Sequence, residues 1–148
     1  MARDRRPGVW LGVDVGTVRV GVARGDATGL LAFPLVTLKR DRKRGSDLDQ
    51  LMELVAEYDA VGVVVGMPTT LAGRQGASAD MARRYGNELA LRIAPVPVRF
   101  VDERLSTVTA MRILRDQGMR GPAGRAVVDQ LAAVQILQLF LDGEPDPS

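Results

Sequence analysis

Three carboxylates stand where the pattern around them disfavours charge: Asp14, Glu103 and Asp129. Asp14 lies in an apolar stretch whose alternation predicts a strand, and an unpaired charge buried there is costly. Support of a tight turn at Gly16-Thr17 is the alternative role, since Asp often serves there. Glu103 follows Asp102 at the carboxyl end of the last predicted strand, and ligands gather outside such strand ends in open sheets with crossover helices. Its alternative is a solvated strand end paired with Arg104. Asp129 falls, at about 100° per residue, on the same helix face as Ala132, Ala133, Ile136 and Phe140. There the alternative is an ion pair with Arg125, one turn earlier. The chain has neither His nor Cys, which removes imidazole bases, thiolate nucleophiles, disulfides and the usual zinc sites. Chemistry is left to carboxylates, hydroxyls, Lys, Arg and metal. Three carboxylates from two strands and a helix suit the oxygen-rich coordination of Mg²⁺ or Mn²⁺.

To bring them together the chain needs a sheet with helices against it. Val9, Leu11, Val13 and Val15 alternate with Trp10, Gly12 and Asp14, and Val18, Val20 and Val22 alternate with Arg19, Gly21 and Ala23. Two antiparallel strands joined at Gly16-Thr17 are expected. Residues 32–38 read as a third strand. Ser46 or Asp47 is placed to cap a helix running to about Tyr58. The unbroken apolar run 61–65 has the pattern of a central strand buried on both faces, ending in Gly66-Met67-Pro68. A loop over 69–77, a helix over 79–93 capped by Ser78, a strand over 98–102 and a helix from 106 to 117 follow. Gly118, Gly121, Pro122 and Gly124 read as a flexible arm before a last helix over 125–141. The order predicts an α/β fold. Its mixed five-stranded sheet has three antiparallel strands and then parallel crossovers, the first strand near the centre and helices on both faces.

A length of 148 residues predicts a single domain, ordered over about 8–141, with an acidic tail over 142–148. The composition is that of a soluble globular protein. No apolar run reads as long enough to cross a bilayer, and the charged N-terminus lacks the features of a signal peptide, so a cytoplasmic protein is expected, with no membrane partner. The net charge of +2 is small, but Lys39, Arg40, Arg42, Lys43 and Arg44 are clustered, which marks that segment as a candidate phosphate contact. The few aromatic residues argue against a base-stacking platform for single strands.

Four motifs resemble the YqgF/RuvX family in order and spacing. They are Gly12-Val13-Asp14-Val15-Gly16-Thr17, Val65-Gly66-Met67-Pro68, Asp102-Glu103-Arg104-Leu105-Ser106-Thr107, and the helical segment from Asp129-Gln130-Leu131-Ala132-Ala133 to Leu137. The first is widespread among phosphate-handling proteins, whereas the Asp-Glu-Arg-Leu-Ser-Thr string is specific. The resemblance implies a ribonuclease H-like fold related to the RuvC Holliday-junction resolvases, with Asp14, Glu103 and Asp129 as the acidic triad. It also implies two divalent ions, Mg²⁺ or Mn²⁺, assisting hydrolysis of a phosphodiester. The expected partner is nucleic acid, either the precursor of 16S ribosomal RNA processed at its 5′ end or a branched DNA junction. A homodimer would suit a two-fold symmetric junction. The chain departs from the family pattern at Thr70 and Ala72, where many relatives carry Asn and Asp, and at Val127, where Lys is common. Arg125 is the expected replacement for that missing charge.

Substrate contacts are expected from Thr17, Arg74, Arg104, Ser106, Thr107, Arg120 and Arg125, which lie in or beside the motifs and glycine-containing loops. Two other functional classes remain in view. An actin-like ATPase shares Asp-x-Gly-Thr on its first hairpin but needs two lobes, and this chain supplies one such motif. A non-catalytic module gripping structured RNA would use the same surface without cutting.

Overall fold

The computed structural model describes residues 7–68, 76–104, 106–118 and 121–143. In chain order the elements are β1 (Trp10–Val15), β2 (Arg19–Gly25), β3 (Ala32–Lys39), α1 (Ser46–Glu57), β4 (Gly62–Met67), α2 (Ala77–Ile93), β5 (Val98–Asp102), α3 (Val108–Gly118) and α4 (Gly121–Leu141). The sheet order is β3-β2-β1-β4-β5. β1 pairs antiparallel with β2, and β2 with β3, while β1–β4 and β4–β5 are parallel. As expected, the first strand is central, and all six of its residues are buried.

The two-residue period of β1 sorts the core into two layers. Leu11, Val13 and Val15 join Leu51 and Val55 of α1 and Tyr85 and Leu89 of α2 in one cluster. Trp10 faces the other way and clusters with Val64, Val101, Val108 and the α4 residues Ala132, Ala133, Ile136 and Leu137. Gly12 points to that second layer, where a Cβ would stand 2.6 Å from Leu137 Cβ and 2.9 Å from the Ala133 carbonyl oxygen. By alternation Asp14 shares the face. On the neighbouring strands, a Cβ at Gly21 would collide with the Asp129 carbonyl, and one at Gly66 with Ile136 and Glu103. Three glycines on three adjacent strands thus let α4 lie with its backbone almost on the sheet.

The helix starts differ from the sequence expectation. α4 begins at Gly121, so Pro122 and Gly124 belong to its first turn rather than to a flexible arm. Proline is tolerated there because the first helical N–H groups have no intrahelical acceptor. α2 begins at Ala77 with Gly76 at its N-cap, and no side chain caps it, so Ser78 lies inside the helix. Neither Ser46 nor Asp47 caps α1, whose N-cap is Gly45. Instead Asp41 accepts from Ser46 Oγ at 2.7 Å and from the Arg44 amide at 3.1 Å, and so folds the loop before the helix. At α3, by contrast, Ser106 Oγ accepts from the Val108 amide at 3.2 Å.

One further expectation is overturned. α4, 21 residues long and carrying an 18-residue stretch of mean hydropathy 1.2, is by length and composition able to cross a bilayer. In this fold it is a core helix: Ala132, Ala133, Ile136 and Leu137 are fully buried against the sheet, and Phe140 meets Trp10 with ring centroids 4.5 Å apart.

Candidate active site

β1 and β5 run parallel to β4, so their carboxyl ends lie at the same end of the sheet. That register brings Asp14, next to last in β1, and Glu103, just past β5, to one edge of the face covered by α4. Asp129 reaches the same region from α4, its backbone seated on Gly21, which is the register partner of Asp14. Among the described residues the buried charged or polar side chains are these three and Asp47, each no more than 2% exposed.

Buried carboxylates need partners, and α3 supplies most of them. Arg112 donates through Nη2 to Asp14 Oδ1 and through Nη1 to Glu103 Oε1, and a further bond from Nη2 reaches Glu103 Oε2 at 3.2 Å. Arg115, one turn on, donates from Nη1 to Asp129 Oδ1 at 2.6 Å. Arg19, at the start of β2 and on the face of Gly21, donates from Nε to Asp129 Oδ2 at 2.5 Å. Burial pushes Glu103 above the ordinary carboxylate range, with Arg112 pulling it back. For Arg112, burial favours the neutral form, but Asp14 and Glu103 outweigh it and hold the guanidinium charged. None of the alternative roles is realised. The Gly16 turn is closed by the Gly16 amide donating to the Arg19 carbonyl at 2.9 Å, Arg104 pairs with Asp102 at 2.7 Å, and Asp129 is held by Arg19 and Arg115 rather than Arg125.

The donor set is one that hard divalent cations select, carboxylate oxygens without nitrogen or sulfur. In this arrangement the cationic position between Asp14 and Glu103 is taken by the Arg112 fork. Among the described residues no three acidic groups converge closely enough to hold one ion. The chemistry of Asp14 and Glu103 suits such an ion as a pair, whereas Asp129 is held by Arg19 and Arg115 and would have to be released by them to join it.

The RuvX family, described as Holliday junction resolvase, matches this chain over residues 8–143. The chain belongs to the RuvX family. A protein of Frankia casuarinae named "Putative pre-16S rRNA nuclease" is 57% identical over 134 residues, 90% of this chain and 66% of that protein. One of Mycobacterium ulcerans with the same name is 56% identical over 132 residues, 89% of this chain and 77% of its own. Among solved structures, T. thermophilus RuvC in complex with a Holliday junction substrate superposes with a TM-score of 0.57 at 16% identity, covering 95% of this chain and 99% of that one. A second T. thermophilus RuvC structure gives a TM-score of 0.53 at 16% identity, over 90% and 93% of the two chains. The likeness establishes a ribonuclease H-like fold.

Within this RuvX domain the other candidate contacts are scattered. Thr17 is exposed on the β1–β2 turn, and Thr107 and Arg125 are exposed as well. Arg104 is turned to Asp102, from which its backbone amide also takes an acceptor at 2.9 Å. The Ser106 hydroxyl donates to the Glu103 carbonyl at 2.7 Å and accepts from the Val108 amide just ahead of α3. Arg74, Arg120, Thr70, Ala72 and the tail from residue 144 lie outside the described residues. Sequence reasoning missed Arg19, Arg112 and Arg115. Their signal was present as alternation, which puts Arg19 on the face of Gly21, and as the i,i+3 spacing of Arg112 and Arg115.

Replacing Arg112→Ala leaves two buried carboxylates side by side without their cation, and is expected to cost about 3 kcal/mol, the low end for breaking a buried ion pair, because the Arg112 side chain is 20% exposed. The loss should shrink in acid. Glu103 has a raised folded-state value, so its contribution to stability is fully present below the unfolded carboxylate range and is lost as pH rises through the folded value. Without Arg112 that value rises further. Thermal denaturation of wild type and variant at mildly acidic and at neutral pH checks this: the gap between them should be smaller in acid.

Proposed function

We propose that this chain is a metal-dependent endonuclease that hydrolyses a nucleic-acid phosphodiester in 5′-end processing of the 16S ribosomal RNA precursor. The observation carrying this reading is the collection of Asp14, Glu103 and Asp129, all buried, on one face of a ribonuclease H-like sheet. The names of its curated relatives support the RNA as substrate. Asp14, Glu103 and Asp129 would hold Mg²⁺ or Mn²⁺, which in the proposed two-ion form would supply activation of the attacking water and stabilisation of the leaving oxygen. The protein side chains do the rest. Arg112 bridges Asp14 and Glu103 until it is displaced, and Arg19 and Arg115 hold Asp129 in the same way. Released from the carboxylates, the three guanidiniums would take phosphate oxygens, for which their fork geometry suits them. The site works in the cytoplasm, where the precursor RNA is.

A second reading, cleavage of a four-way DNA junction, is favoured by the family description, and a homodimer would then present two such sites. Incubation of the purified protein with labelled precursor RNA and, separately, a four-way junction, with Mg²⁺, Mn²⁺ or chelator, decides between them. Metal-dependent trimming of the RNA is the expected result. Symmetric nicks in the junction alone would make the protein a resolvase, and no cleavage of either would leave a non-catalytic RNA-binding module.

A further inference from the structure

On the sheet face opposite the carboxylates a groove of about 700 Å³ runs between the β3–α1 loop and α2. Six of the residues lining it are Thr17, Arg42, Lys43, Arg44, Arg84 and Arg92. Arg92 is engaged by Asp49 at 2.5 Å. Arg42, Lys43, Arg44 and Arg84 are exposed and form no ion pair among the described residues. Four carboxylates also line it, but two are already saturated. Asp41 accepts from the Lys43 and Arg44 amides and from Ser46. Asp47, 1% exposed, accepts from Tyr85 Oη at 2.8 Å and the Asp41 amide at 3.2 Å, with Arg40 Nε 3.6 Å away. Asp80 and Glu88 are left against four cations.

The groove is built, not merely a run of charge on a loose loop. The Asp47–Tyr85 bond ties the start of α1 to α2 beneath the cations. Burial beside Asp47 pushes the Tyr85 phenol up, so it remains a donor throughout the physiological range. Arg40 lies over the Tyr85 ring at 5.0 Å and donates to the Gly16 carbonyl at 2.8 Å, which fixes the loop to the β1–β2 turn. That turn joins the two faces: Thr17 lines the groove and is three residues from Asp14, a span of at most about 11 Å.

We propose that this groove binds the sugar-phosphate backbone of the nucleic-acid strand flanking the cleavage point, after the strand has passed over the β1–β2 turn. The inference rests on the nuclease reading for the position of the cleavage point, and on the groove alone for its chemistry. The one aromatic ring lining it, Tyr85, is buried under Arg40 and offers no face for a base. Recognition is therefore of phosphates, independent of sequence and sensitive to salt. A strand held at both places must bend around Thr17, so the protein selects substrates with a pliable or branched flank.

Fluorescence anisotropy in chelator, where nothing is cut, tests this with two probes: a labelled RNA hairpin with a single-stranded 5′ extension, and the same hairpin without it. Wild type should bind the extended probe at least about tenfold more tightly. The exposed-residue variant Arg42→Gln/Lys43→Gln/Arg44→Gln/Arg84→Gln should erase that preference and lower the slope of log affinity against log salt by about 2 to 3, at roughly 0.7 per single-strand phosphate contact. Arg83→Gln/Arg99→Gln, which removes charge outside the groove, should keep the preference. No preference in wild type, or a preference that survives the groove substitutions, overturns the proposal. Retention of the preference in a protein that cuts neither RNA nor junction would sink the nuclease reading and leave the groove standing.

Discussion

Asp14→Asn is expected to lower metal-dependent cleavage by a factor of about 10³ or more while the fold persists. The substitution preserves volume and removes one of the charges proposed to hold the divalent cation. A loss of about 4 kcal/mol of transition-state stabilisation corresponds to that factor, and electrostatic groups at phosphoryl centres act at this scale. Folding should be far less affected, because Arg112 keeps its bonds to Glu103 and the amide oxygen still accepts. Single-turnover cleavage and thermal denaturation on the same preparation separate the two effects. Cleavage within tenfold of wild type would remove Asp14 from the catalytic set. A folded but inactive variant is the expected outcome, and Asp129→Asn should behave alike.

Gly21→Val should be among the most damaging single changes to stability. The position is fully buried mid-strand, and a Cβ there would drive into the backbone carbonyl of Asp129, not into a side chain that could swing away. Either β2 or α4 must shift. Overpacking of a rigid contact costs about 3 kcal/mol or more, which in a domain of this size lowers the melting temperature by roughly 10 °C. Activity should fall beyond what stability explains, because the residue displaced is Asp129. Gly76→Ala provides the contrast, since nothing lies within 4 Å of a Cβ there. Melting temperatures and cleavage rates at a temperature where all variants are folded check both points. A Gly21→Val protein as stable as the Gly76→Ala one would show that α4 is not seated on its backbone.

Much of this was legible in the residues. Alternation along residues 9–23 gave the hairpin and even the sheet face of Asp14, since side-chain direction in a strand follows parity alone. The position of Asp129 within an apolar helical stripe carried the third carboxylate. What joined them was not legible, because Arg112 lies 98 residues from Asp14 and Arg19 lies 110 from Asp129. No local rule connects such pairs; Glu103 and Asp129 each had a nearer arginine, Arg104 and Arg125, to which spacing pointed instead, and Asp14 had the Gly16-Thr17 turn. The start of α4 was misjudged for another reason. Gly121, Pro122 and Gly124 have poor helix propensity, but a helix anchored along its length by burial tolerates them in its first turn. The groove could be sensed as the run from Lys39 to Arg44, yet its opposite wall, Arg84 on α2, lies 40 residues further along, where no local pattern ties it to that run.

The arginine clamps bear on how such a protein lives in a cell. Many metal sites are folding sites, in which the chain is unstructured until the ion arrives. Here each buried carboxylate already has a guanidinium from its own chain, so assembly does not wait on metal supply. Under the proposed metal-dependent reading, the chain would be synthesised, stored and carried to its substrate finished but idle, and availability of the ion would govern when it works, not how much of it survives.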